Sequence, residues 1–416
     1  MGEARGSQAG ATPMDFVMVG ATVVDGTGGE PVTSAALHVQ DGRIAWVGPL
    51  AAFQKRGSES RIVEASGQTI IPGLIDAHIH LCWNGLDSIP ELMRSPRDQL
   101  LLEAAASARR VLASGTTTVR DIGGQDYLEM SLRWAIDGGY ITGPRMRTSG
   151  RFITMTGGHA HFVGREADGP EEIRKAVREQ VKAGADNIKL MATGGVATAG
   201  QDVRATQLTV EEMAAAVEAA HTSRRTVAAH CHGGAGIRNA VLAGVDSIEH
   251  GSYMDEETAD MMRARGTAVV LTLGLSNPLV QPTASTAQAE ADRIRQHLPA
   301  MRRALETTVV LTRARGVLVG LGSDAGGNPL RPHDQSMAQE LEELVALGYP
   351  PLDALTAATR NNAQILRVSD QVGTLEPGKL ADFVLLGANP LLDIAAVRQV
   401  RAVFKAGINV LLEHGG

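Results

Sequence analysis

Two cysteines, Cys82 and Cys231, are all that the 416 residues contain, too few to build a disulfide framework. Basic blocks are also missing, and the formal net charge is −7, which argues against nucleic acid or an anionic membrane surface as a partner. No positively charged start leads into an apolar core, so the pattern of a secretory signal is absent. No apolar run reaches the ~18 residues that span a bilayer. These absences together predict a cytoplasmic protein. Repeats are lacking, and low complexity is confined to residues 1–13, rich in Gly, Ala and Ser, which read as a disordered tail. What is present, 44% hydrophobic and 20% charged, can bury a large globular core. A small neutral or zwitterionic molecule is the expected ligand.

The most informative stretch is Ile70–His80, IIPGLIDAHIH. Its apolar pair Leu74 and Ile75 is broken on one side by Pro72 and Gly73 and ends on the other in Asp76, His78 and His80. On a strand, the two-residue period puts both imidazoles on one face within reach of one ion; on a helix they would point about 200° apart. Before this stretch, residues 14–72 read as short strands, MDFVMVGATVV and then ALHVQ and RIAWVG joined by Asp41-Gly42, a hairpin signal. After it, apolar strands alternate with helices, with strand candidates at 74–78, 116–121, 145–150, 185–190, 226–230, 245–250, 267–272 and 317–322. Helix grammar lies between them: Asp168–Glu172 opens a segment whose Ile173, Val177 and Val181 share a face, and Thr209 with Glu212 makes a capping box. The pattern predicts an α/β fold, a (β/α)8 TIM-like barrel over residues 73–369. Past residue 370, Gly373, Pro377 and Gly378 lead into ADFVLL and VRAVFKAG. Residues 14–72 plus 370–416 are therefore expected to form a small β-sandwich domain from both chain ends.

Polar residues recur at the ends of these strands. Lys189 closes DNIKL, His230 closes TVAAH, His250 closes SIEH, and Asp324 follows VGLGS. The loops at that face of a barrel converge on one mouth, where barrel enzymes assemble their chemistry. One buried His is more often a hydrogen-bonded core residue, and one Asp a helix cap. A whole rim of them, unpaired, would be costly to desolvate.

Taken in order, these motifs resemble the amidohydrolase superfamily of metal-dependent hydrolases, from PGLIDAHIH through Lys189, His230 and His250 to GSDAG and the late EPGKLADFVLL. The resemblance implies that His78 and His80 hold one divalent ion and His230 and His250 a second. It also implies that Lys189 is carboxylated by CO2 to bridge both, and that Asp324 completes the first site and carries protons. Zinc is the expected metal. An ammonium beside two cations would be repelled, whereas a carbamate is anionic and its two oxygens can span ions ~3.5–4 Å apart. The implied reaction is amide hydrolysis by metal-activated hydroxide, with Asp324 taking the second proton and delivering it to the leaving nitrogen.

Two further segments, Thr156–Phe162 (TGGHAHF) and His250–Asp255 (HGSYMD), resemble the Xaa-Pro and Xaa-Arg dipeptidases and ochratoxin-hydrolysing members of that superfamily. There, a His of the first segment and the Tyr of the second grip the α-carboxylate of the leaving amino acid, which here means His161 or His159, and Tyr253. The expected substrate is thus a dipeptide or N-acyl amino acid, and the expected assembly a homo-oligomer. A cyclic amide of imidazolone or hydantoin type is an alternative, against which Lys189 counts. A non-catalytic metal-binding scaffold is another, against which Asp324 counts. Among the remaining polar residues, His232 reads as orienting the site rather than binding metal, and Cys82 and Cys231 as small core residues. Arg120-Asp121 reads as a packing ion pair, His221 and Arg204 as unsupported candidates, and His333, Asp334 and Glu340 as a solvated helix start.

Overall fold

The computed structural model describes residues 15–54, 60–85, 87–274, 288–327, 331–333 and 336–411. The tail and Asp334 lie outside them. Strands β1 (Phe16–Val23), β2 (Val32–Gln40), β3 (Arg43–Pro49), β4 (Arg61–Glu64) and β5 (Thr69–Pro72) open the chain. Asp41 and Gly42 take left-handed φ values of 50° and 73°, as a tight β2–β3 hairpin requires. The parallel α/β part follows as β6 (Leu74–Ile79), β7 (Thr116–Asp121), β8 (Arg145–Thr148), β9 (Ile153–Thr154) and β10 (Arg165–Glu166), then β11 (Asn187–Met191), β12 (Thr226–Cys231), β13 (Ser247–His250), β14 (Ala268–Leu271) and β15 (Val319–Leu321). The chain returns as β16 (Phe383–Leu386), β17 (Val400–Lys405) and β18 (Ile408–Asn409).

Both chain ends enter one eight-stranded sheet, ordered β18-β17-β16-β5-β1-β2-β3 with β4 beside β1. Its apolar face, including Phe16, Leu37, Ile70, Phe383 and Phe404, forms a core of its own. Because β16 pairs with β5 and β5 runs straight into β6, this sheet anchors the first strand of the α/β part.

That part consists of two parallel sheets, β6-β7-β8 and β10-β9-β11-β12-β13-β14-β15. Strands stand at all eight expected places, but the third is split. Arg145–Thr148 pairs with β7, the chain turns at Gly150 with φ 76°, and Ile153 then pairs with Leu190 of β11. At the other margin the segment after β15 meets β6: Ile79 bridges Ala325, and the Asp324 amide donates to the His78 carbonyl at 2.7 Å. Strands β11, β13 and β14 are buried along their whole length, as parallel strands covered on both faces are. The covering helices start where the sequence places them. Helix Gly169–Ala183 buries Ile173 and Val177 with Val181 packed alongside, and Thr209 with Glu212 closes a capping box at Val210–Thr222. No helix among the described residues is long and apolar enough to cross a membrane.

Candidate metal centre

The strand period sets the first group. His78 and His80 leave β6 on one face, their ring centroids 5.6 Å apart. His78 Nδ1 meets the Glu249 carboxylate at 2.8 Å, and His80 Nδ1 the Gly123 carbonyl at 2.7 Å. Both partners can only accept, so each ring donates through Nδ1 and keeps a lone pair on Nε2. Both Nε2 atoms stand 3.4 Å from Asp324 Oδ1.

The second group rises from β12 and β13. One nitrogen each of His230, His232 and His250 falls within 4.8 Å of the others, the same spread as in the set His78, His80 and Asp324. His230 Nε2 faces the Gly194 carbonyl at 3.2 Å, which leaves Nδ1 free, and His250 Nδ1 faces Thr272 Oγ1 at 2.7 Å. Burial, reinforced by neighbouring positive charge, pushes the pKa values of His230 and His250 well down, so both rings stay neutral lone-pair donors. Burial alone would raise the pKa of Asp324, but the closeness of His78, His80 and His250 more than offsets it and holds the carboxyl well below its usual range. Backbone strain collects here too: His250 and Asp324 both take left-handed φ, 69° and 52°.

Lys189 completes the arrangement. It is 1% exposed, and its Nζ is buried without any hydrogen-bond partner. Burial lowers its pKa to about 8, partly opposed by the charge of Glu249. An unpartnered buried amine beside neutral imidazoles and a carboxylate is a poor resting place for an ammonium. It is a fitting one for divalent cations and an anionic lysine carbamate.

All six of His78, His80, Lys189, His230, His250 and Asp324 line one cavity of about 50 Å³, together with His159, His232 and Trp83. Of the two histidines weighed for carboxylate binding, the structure brings His159 to this cavity and leaves His161 outside it, 42% exposed and 3.9 Å from Glu166. Gly195 makes the placement possible, since a Cβ there would lie 2.3 Å from His159 Nε2. Tyr253 stands off the cavity wall, packed against Val196, Val203 and Ile294, with the Arg204 guanidinium 6.0 Å from its ring centroid.

Several lower-ranked residues are placed differently from their sequence reading. Arg120 does not pair with Asp121: its Nη2 donates to Glu249 at 2.7 Å, and Asp121 accepts from the Leu81 and Gly123 amides. Glu249 was not singled out at all, yet it ties Arg120, Ser247 and His78 together. A charged residue inside an apolar strand, one step before His250, was the available signal. His333 and Glu340 are not solvated but 1% and 0% exposed, Glu340 accepting from the Leu273 and Gly274 amides and pairing with Arg331. Burial raises Glu340 to about pKa 7 against that arginine. His232 Nδ1 meets Ser252 Oγ at 2.9 Å while its ring stacks on His250. His221 lies away from the centre, on Asp246. Burial pushes both thiols upward, so Cys82 and Cys231 are inert.

Known proteins resemble this chain over most of its length. The family model "Amidohydrolase family" matches residues 69–410. Ochratoxinase from Aspergillus niger is 33% identical over 90% of this chain and 82% of its own, and its crystal structure superposes with a TM-score of 0.83. A Xaa-Pro dipeptidase solved with bound methionine in its active site gives a TM-score of 0.83 at 30% identity, covering 95% of this chain and 99% of its own. Imidazolonepropionase from Micrococcus luteus is 27% identical over 91% of this chain and 94% of its own.

Proposed function

The chain belongs to the amidohydrolase family, and from that premise we propose a binuclear metal-dependent hydrolase that cleaves the amide bond of dipeptides or N-acyl amino acids. The observation that carries the binuclear reading is Lys189, an unpartnered buried amine in one cavity with His78, His80, His230, His250 and Asp324. In this reading His78, His80 and Asp324 would hold one ion and His230 and His250 the other, with Lys189, once carboxylated, serving both. The pair of ions, zinc by our reading, supplies a water acidified toward neutral pH and a Lewis acid for the scissile carbonyl. Asp324, its carboxyl held well below the usual range, would accept a proton from the water and pass it to the leaving nitrogen. Glu249 holds His78 by Nδ1, as a partner behind a metal ligand does.

His159 is the residue we assign to the substrate carboxylate. Burial pushes its pKa down to about 3, so the ring is neutral. The Ala160 amide donates to Thr198 Oγ1, and that hydroxyl in turn can donate to His159 Nδ1. Nε2 then carries the proton toward an acceptor. The likeness to a Xaa-Pro dipeptidase and to ochratoxinase supports an amino acid as the leaving group. The likeness to imidazolonepropionase keeps a cyclic amide as the second reading.

The parallel strands of residues 73–369 are read as a closed (β/α)8 barrel, supported by the meeting of Ile79 with Ala325, and residues 14–72 plus 370–416 as a β-sandwich domain. Two buried free thiols fit a cytoplasmic setting.

The test is kcat/KM of the metal-loaded protein on dipeptides and N-acyl amino acids, each as free acid and as α-amide. The acids should be cleaved and the amides much more slowly, since donors left unpaired cost roughly 1–3 kcal/mol each. His159→Ala should lower kcat/KM on the acid while barely changing the amide. Equal rates on acid and amide in the wild type would overturn the carboxylate reading and favour a cyclic or neutral amide.

A further inference from the structure

A second cavity, of about 150 Å³, lies at the N-terminal ends of β11 and β12, opposite the histidine cluster, and is walled by Arg120, Arg147, Arg224, Arg225, Arg367 and Asp186. Its cations outnumber the carboxylates that serve them. Asp186 takes Arg147 at 3.2 Å and is already shared with Arg133. Asp246 takes Arg367 at 2.8 Å and is shared with His221. Arg120 is committed to Glu249. The guanidiniums of Arg224 and Arg225 have no partner among the described residues, and Arg225 Nε is buried in that state. Arg224 is exposed and Arg225 half-buried, but the buried Arg225 Nε has no acceptor, so the cavity is short of anionic charge.

The backbone points the same way. Helices in this chain commonly end on a left-handed residue, and that residue is glycine at Gly115, Gly184, Gly244, Gly266, Gly316 and Gly348. Two ends carry a side chain instead: Arg224, after helix Val210–Thr222, with φ 57°, and Arg367, after the helical run ending at Ile365, with φ 54°. Both arginines line this one cavity. Glycine would relieve both positions locally, yet each carries an arginine at the cavity wall.

We propose that this cavity binds a small dianion, a phosphate group presented either as the free ion or as a phosphomonoester. Guanidinium forks match phosphate oxygens in pairs, and the unpartnered groups of Arg224 and Arg225 supply the donors. Arg120 alone belongs to both ends of the molecule, reaching the metal centre through Glu249 and His78.

The experiment titrates the metal-loaded full chain with inorganic phosphate and, separately, with glycerol phosphate at constant ionic strength. Tm and heat of binding are followed in the wild type, in Arg224→Gly/Arg367→Gly and in Arg225→Gln. Saturable stabilisation is expected in the wild type, with Kd weakened at least about ten-fold in both variants; the tighter of the two ligands identifies the source of the phosphate. Glycine suits both left-handed positions, so the double variant should unfold in phosphate-free buffer no earlier than the wild type. Arg225→Gln tests the same site without touching the backbone. Amide hydrolysis in phosphate-free buffer should be unchanged in both variants. No saturable effect in the wild type would overturn the proposal. So would an effect of full strength in the variants, since it would put the phosphate at the histidine cluster.

Discussion

Burial lowers Lys189 to about pKa 8, so near neutral pH part of the side chain is free amine, the form that adds to CO2. Addition forms the N–C bond, releases one proton and turns an unpartnered donor into a bridging anion. Lys189→Ala should therefore lose activity by about 10–100-fold or more together with bound metal, and acetate should restore a little by replacing the bridging carboxylate. Activity and metal content measured side by side check this; an alanine variant with full activity and full metal would refute the bridge. The His159 and His161 pair makes a different point about single residues. Both stand in one Gly-rich segment two positions apart, but only His159 lines the cavity, where the absence of a Cβ at Gly195 leaves room for its ring.

Among the elements, the contact between β6 and the segment after β15 matters most, because it brings His78 and His80 to Asp324. Asp76 binds it by accepting from the His78 amide at 3.1 Å, the Ser323 amide at 3.0 Å and the Ser323 hydroxyl at 2.5 Å. Gly322 lets the strands approach, since a Cβ there would lie 2.3 Å from His78 Cβ. Gly322→Ala should cost roughly 1–3 kcal/mol as overpacking does, and should reduce bound metal. Thermal unfolding and elemental analysis test both, and an unchanged Tm with a full metal complement would contradict the close approach. A second element-scale expectation concerns β17, whose Lys405 amine donates to the Gly143 carbonyl at 2.6 Å. Burial, helped by the charge of Arg145, lowers its pKa from 10.5 to about 8. Between those two values the unfolded chain binds the proton and the folded one does not, so this group makes stability rise with pH there. Wild type should gain stability relative to Lys405→Met from pH 8 to about 10.5 in denaturant unfolding. A constant difference across that window would mean that the amine is solvated.

For the whole molecule, divalent ions at the proposed centre would be held by residues from β6, β11, β12, β13 and the segment after β15, and so would bind the native state and not the unfolded chain. Native-only binding adds about 2.7 kcal/mol when the ion stands at 100 times its Kd. Dialysis against a chelator should lower Tm by several degrees and abolish hydrolysis, and returning a divalent ion should restore both. Elemental analysis should find about two ions per chain. Metal-free protein with undiminished activity would exclude the binuclear reading.

The sequence by itself determined what depends on neighbours along the chain. The two-residue period put His78 and His80 on one face, apolar runs placed β6, β7, β8 and β11 to β15, and Thr209 with Glu212 set a helix start, because each signal is complete within a few residues. Only the tertiary structure decided which side chains meet across strands. Arg120 passes over adjacent Asp121 to reach Glu249, 129 positions away, because the arginine turns inward to the polar interior while Asp121 caps the Leu81 and Gly123 amides. Glu340 and His333, polar enough to read as solvated, are buried because Arg331 and the backbone around Leu273 and His80 close over them. Burial of a charge follows from partners supplied by distant segments, and a one-dimensional pattern carries no record of those.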